Sequence, residues 1–160
     1  MRPFLIGEST HGRLTEFLRF IPIAVVVAGI LFLTTQNISD NAKLSEGLRG
    51  WLISLYERLD LDSSDAWWND KLAVRRLGHI LEYGVLGIAS GIALIDLDSH
   101  RVNSILKAIG LCLLISVLDQ TVKIFVPVRH FDIVDIGFDM VGAVAGILIV
   151  TAVGRLVKKS

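Results

Sequence analysis

The chain has 160 residues, which is room for one domain. Apolar residues make up 52% of it and its mean hydropathy is +0.61, above a soluble domain, where about 45–50% apolar is usual. The 16 Lys+Arg balance the 16 Asp+Glu, so the basic excess that nucleic acid recruits is absent.

The first apolar run, Phe17 to Thr35, contains FIPIAVVVAGILFL and is interrupted by Pro22. Arg13 and Arg19 precede it as they would a signal peptide. Small residues at A-x-A spacing do not follow; the chain continues Thr34-Thr35-Gln36-Asn37, so a retained helix is expected. Residues 37–77 form the sizeable non-membrane part. Within them Leu44, Leu48, Trp51, Leu52, Leu55, Tyr56 and Leu59 recur at helical spacing, with Asp40, Asn41 or Ser45 as N-caps. Trp51 and Tyr56 suit a helix lying in the membrane interface, and packing on the rim of a bundle explains the same face equally well. Ser63-Ser64-Asp65 reads as a second helix start, followed by Trp67 and Trp68. Glu57, Asp60, Asp62, Asp65 and Asp70 lack EF-hand spacing and read as a solvated acidic face.

Three further runs follow: 79–95 (HILEYGVLGIASGIALI), 108–126 (AIGLCLLISVLDQTVKIFV) and 135–153 (DIGFDMVGAVAGILIVTAV). With 17–35 they approach the ~20 residues that cross a ~30 Å hydrocarbon core. The expected fold is an all-α membrane protein: one domain over 1–160, with four transmembrane helices and an extracytoplasmic amphipathic helix at the interface. β-Barrel alternation is missing. The short flanks (Arg2, Arg13, Arg19; Arg101, Lys107; Arg155, Lys158, Lys159) carry half of the basic residues. The other half is spread over a longer, acidic-rich side, which favours cytoplasmic termini. Gly84, Gly87 and Gly91, and Gly142 with Gly146, allow close helix packing. Cys112 lies within an apolar run and is expected to be buried and inert. His11, His100 and His130 fall in flanking loops.

Ionisable residues interrupt these runs at corresponding ends: His79-x-x-Glu82-Tyr83, Asp119-Gln120-x-x-Lys123, Pro127-x-Arg129 and Asp135-x-x-x-Asp139. Such a residue costs about 3 kcal/mol in a transmembrane helix and so marks a site or a pair. His79, Glu82 and Tyr83 share roughly one helical sector, and Asp119 with Lys123 can pair along a turn. By the ~1.5 Å rise per residue, Glu82, Asp139 and Asp119 lie roughly 5 to 10 Å inside their spans. A salt-bridge network that staples the bundle is one explanation. The other is a polar pocket open to the outer leaflet, because buried pairs contribute little net stability. Metal binding through His79, Glu82 and Asp119 is opposed by the Lys123 ammonium, so neither metal nor cofactor is expected.

One pattern joins these residues. Arg76, His79, Tyr83 and Leu86, then Asp119, Pro127-x-Arg129, Asp135 and Gly142-x-x-x-Gly146 resemble the VanZ-like family over about residues 17–150. Members typically carry Asp-Glu-x-x-Gln where this chain has Asp119-Gln120-x-x-Lys123, and Asn where it has Asp139. A new cation on one helix facing a new anion on the next would couple these departures. The resemblance implies a bacterial cytoplasmic (inner) membrane protein of the cell envelope, whose founding relative is associated with teicoplanin resistance. Three functions are carried forward. The first is binding of an anionic or lipid-linked glycan head group by His79, Glu82, Tyr83, Asp119, Gln120, Lys123, Arg129, Asp135 and Asp139. The second is catalysis on a lipid-linked glycan or phosphodiester, with His79, Glu82 and Asp119 as candidate catalytic groups and Arg129 stabilising charge. The third is a small subunit that docks into a larger envelope complex.

Overall fold

A computed structural model describes residues 17–35, 38–59, 70–95, 101–127 and 129–159. Five helices occur among them: α1 (Ile21–Thr35), α2 (Ile38–Arg58), α3 (Lys71–Leu94), α4 (Arg101–Lys123) and α5 (Ile133–Lys159). No strand occurs among the described residues. Three stretches, Leu72–Leu94, Val102–Lys123 and Ile133–Val157, are long and apolar enough to cross a membrane, and Ile21–Thr35 is a shorter apolar helix.

The helix ends differ from the apolar runs, and each difference has a local cause. Helix α1 is only 15 residues, about 22 Å at ~1.5 Å per residue, because Pro22 fits only the first helical turn. Before it the chain makes a turn closed by the Phe20 N–H on Phe17 O at 3.1 Å. Helix α2 begins at Ile38, so Asp40, Asn41 and Ser45 lie inside it rather than capping it. Its Leu48, Leu52 and Tyr56 are half-buried at i, i+4, i+8, while Trp51, Leu55 and Leu59 are exposed. Helix α3 starts eight residues before His79, capped by Asp70, whose carboxylate accepts from Leu72 N–H at 2.9 Å. Helix α4 already begins at Arg101 and stops at Lys123, short of the apolar run's end. Helix α5 begins at Ile133 after Asp132, whose carboxylate accepts from Val134 N–H at 2.9 Å. The start expected at Ser63-Ser64-Asp65, with Trp67 and Trp68, lies outside the described residues, as do His11 and His100.

Helices α3 and α4 form the middle of the bundle. Helix α1 packs on both of them, α5 packs on both, and α2 leans on α3. The tightest seam joins α3 to α5. A Cβ placed on Gly87, Gly142 or Gly146 would overlap the facing backbone at Ala143 O, Ile80 O and Gly84 O respectively. Pairing of Ile80 with Gly142, Gly84 with Gly146 and Gly91 with Val150 shows that the two helices run parallel. Such small-residue seams suit lipid, where helix association depends on close packing rather than on the hydrophobic effect. Ile23, Ile30, Leu86, Ala89, Cys112, Ile115 and Ala143 fill the core. Leu106, Leu114 and Leu118 on α4, and Leu148, Ile149 and Val153 on α5, face outward, as lipid-facing positions would.

A buried polar layer shared by four helices

With α3 and α5 parallel and α4 reversed between them, the first half of α3, the end of α4 and the start of α5 meet at one end of the bundle. The end of α1 arrives there as well, through Thr34, whose hydroxyl donates to Asp119 Oδ1. Asp119, Gln120, Lys123, Asp135 and Asp139 are all buried. A run of carboxylates inside an apolar bundle stays charged only if each finds donors, and here each does.

Asp119 receives Thr34 on one oxygen and the Lys123 ammonium on the other, at 3.2 Å. Asp135 is held by Arg75 Nη2 at 2.5 Å, by His79 Nε2 at 3.4 Å and by Lys123 at 3.6 Å. Asp139 contacts His79 Nδ1 at 2.9 Å and accepts from the Ser116 hydroxyl at 2.6 Å. Lys123 therefore answers Asp119 and Asp135, and Asp139 answers His79. The expected facing of Lys123 with Asp139 is replaced by these partners: Asp139 is engaged by His79 and Ser116, and Lys123 by Asp119 and Asp135. Both ring nitrogens of His79 face carboxylate oxygens, so each of its two contacts needs a proton or another cation between the atoms.

Other members of the layer keep unspent capacity. The Gln120 carbonyl accepts from Asp132 N–H at 3.4 Å, while its Nε2 is buried without a hydrogen-bond partner. The hydroxyl of Tyr83, a residue with no exposed surface, also lacks one. Lys123 Nζ is engaged ionically yet makes no well-directed hydrogen bond. A buried donor left unmade costs about 1–3 kcal/mol, so three at one level are a feature to be explained. Glu82 is half-buried and interacts electrostatically with His79, Asp119, Asp139 and Lys123.

Arg129 lies in the connection between α4 and α5, where its N–H donates to Val126 O at 3.2 Å. Burial, then the Arg75 cation, lowers the pKa of its guanidinium, and Asp119 and Glu82 pull the other way. His130, two residues before the Asp132 cap, is exposed. Three ligating groups, on His79, Asp119 and Asp139, lie within 4.8 Å of one another. Asp139 thus occupies the place beside His79 and Asp119 that spacing along the sequence gives to Glu82.

Arg75, Ser116 and Thr34 belong to the layer although the sequence does not single them out. Arg75 precedes the apolar run and reads as a flank, yet it stands four residues before His79 on the same helical face. Ser116 is one turn before Gln120 and three residues before Asp119. Thr34 gave no usable signal, since a hydroxyl at a helix end is ordinary.

A family profile described as VanZ/LLP1 matches residues 19–154. No curated protein and no solved structure matches the chain.

Proposed function

The chain belongs to the VanZ/LLP1 family, and from that premise we propose that it is a four-span envelope protein whose buried polar layer receives the head group of an anionic or sugar-bearing lipid. Three long apolar helices and the family fit a multi-pass membrane protein. Helix α1 acts as the fourth span and α2 lies at the interface, with the termini in the cytoplasm and the polar layer toward the outer leaflet of the bacterial inner membrane.

The observation that carries this reading is the spare hydrogen-bonding capacity of buried donors: Gln120 Nε2 and Tyr83 OH, and Lys123 Nζ, which is held by ion pairs alone. A ligand rich in acceptor oxygens, such as a phosphate or a sugar, satisfies such donors. A network meant only to staple helices leaves none. Arg129, at the mouth of the layer, supplies a planar fork for phosphate.

The test is retention of a polyprenyl-linked phosphate by the purified protein in nanodiscs, read by native mass spectrometry. Wild type is expected to retain it, and Gln120→Leu and Arg129→Ala to lose about tenfold or more in affinity. Equal retention by all three folded proteins overturns the proposal. In a Gram-positive host, teicoplanin susceptibility that differs between wild type and Asp119→Ala at matched membrane levels supports the resistance role that the family suggests.

Catalysis on the same class of lipid is the second reading, favoured by one contact. Asp139 holds His79 Nδ1 at 2.9 Å, as an orienting carboxylate holds a general base. Turnover of a lipid-linked glycan that disappears in Asp139→Asn supports it, and inertness toward such substrates counts against it.

A further inference from the structure

We propose that His79, Asp119 and Asp139 form a divalent-cation site, with Asp135 as the carboxylate that orients the histidine. The three side chains can each bring one ligand atom to within 4.8 Å of the others. They come from three different helices, so the bundle, and not one helical turn, sets their spacing.

Four observations converge on the site. First, His79 Nδ1 and Asp139 Oδ1 are 2.9 Å apart. Two ligands about 2.1 Å from a metal stand roughly 3 Å apart when they meet it at a right angle. Second, the other ring nitrogen, Nε2, faces Asp135 at 3.4 Å. A metal-bound histidine typically donates its second N–H to a carboxylate, which fixes its tautomer. The cation then takes the place of the proton between His79 and Asp139.

Third, the charges leave room for a dication. With His79 neutral, as ligation requires, Glu82, Asp119, Asp135 and Asp139 outnumber Arg75, Lys123 and Arg129 by one. A divalent ion turns that deficit into a single positive charge, which suits an anionic oxygen ligand. Lys123 keeps a partner at Asp135, 3.6 Å away, if the cation draws on Asp119. Fourth, the fully buried Tyr83 hydroxyl interacts electrostatically with Asp119 and Asp139, has the Ser116 hydroxyl beside it and makes no well-directed hydrogen bond. It is a donor placed for water, hydroxide or phosphate oxygen on the cation's open positions. One imidazole with two carboxylates suits Mn²⁺ or Zn²⁺ better than a soft ion.

This deepens the head-group reading of the same layer, but its probe is the metal alone, so either can fail without the other. The full chain in nanodiscs is titrated with Mn²⁺ by calorimetry, and the bound ion is examined by pulsed EPR for ¹⁴N coupling. One saturable ion per chain with histidine nitrogen coupling is expected, displaced by Zn²⁺. Asp139→Asn is expected to weaken binding at least tenfold. Replacing His11, His100 and His130 together with Gln leaves the site intact and must preserve the nitrogen coupling. No saturable binding to wild type, or coupling that vanishes in that triple variant, overturns the proposal even if Asp139→Asn fails to fold.

Discussion

Lys123 serves two carboxylates at once, Asp119 at 3.2 Å and Asp135 at 3.6 Å. Removing one partner of a buried pair leaves an uncompensated charge, which costs about 3–5 kcal/mol. Lys123→Met is therefore expected to lower the stability of the detergent-solubilised protein by about that amount in a denaturant titration. Adding Asp119→Asn to it should recover much of the loss, since Arg75 still holds Asp135. If the double variant is no more stable than the single, the pairing is not what Lys123 contributes. Thr34 offers a smaller test. Its hydrogen bond reaches a charged acceptor, and such bonds contribute about 1.5–3 kcal/mol. Thr34→Val should lose that stability and Thr34→Ser keep most of it. The buried charges of this layer, Asp119, Lys123, Asp135 and Asp139, were legible in the sequence because each falls within an apolar run. Thr34 was not, because nothing distinguishes it from Thr35 until the fold brings Asp119 to it.

At the scale of the helices, the α3–α5 seam is the most demanding contact. Backbone lies against backbone at Gly87, Gly142 and Gly146, so an added side chain has nowhere to go. Overpacking of this kind costs about 1–3 kcal/mol or more. Gly142→Leu is expected to give aggregated or strongly destabilised protein by size exclusion and thermal melting. Gly110→Ala and Gly137→Ala, where a Cβ meets nothing within 4 Å, should be near wild type. Comparable losses at all three positions would mean that the seam is not what makes Gly142 intolerant, since helix propensity alone favours Ala and Leu over Gly. The packing role of these glycines could be read from their spacing, but the helix ends could not. Asp70 starts α3 far ahead of the apolar run. The stop of α4 at Lys123 depends on the turn that follows, where Ile124, Phe125 and Val126 donate to carbonyls three residues back. Hydropathy sees neither. That is why Arg75 looked like a flank when it is a member of the layer.

For the whole molecule, the order of the helices puts α2, the α4–α5 connection and the polar layer at one end and the last turn of α5 at the other. With the proposed orientation, an impermeant maleimide should label His130→Cys in intact cells and spare Val157→Cys, in a background where Cys112 is replaced by Ser. The reverse pattern would turn the layer toward the cytoplasm. The apolar runs read as four spans; three of them are helices long and apolar enough to cross a membrane, and the first is the shorter apolar helix α1. The direction of the bundle rests on the short basic flanks alone, because basic residues are split evenly between the two sides.

The distribution of partners also has a consequence for how the chain is made. Helix α3 carries Arg75, His79 and Glu82, and it emerges from the ribosome before Asp135 and Asp139 exist. The residues that neutralise it lie about 60 positions later, the separation of both the Arg75–Asp135 and the His79–Asp139 contacts. Charged side chains without partners disfavour insertion, so α3 is expected to settle less completely in the membrane until α5 arrives. The expected consequence is a delayed handover in which the last helix completes the insertion of an earlier one: a chain cut short before α5 should leave α3 accessible to protease.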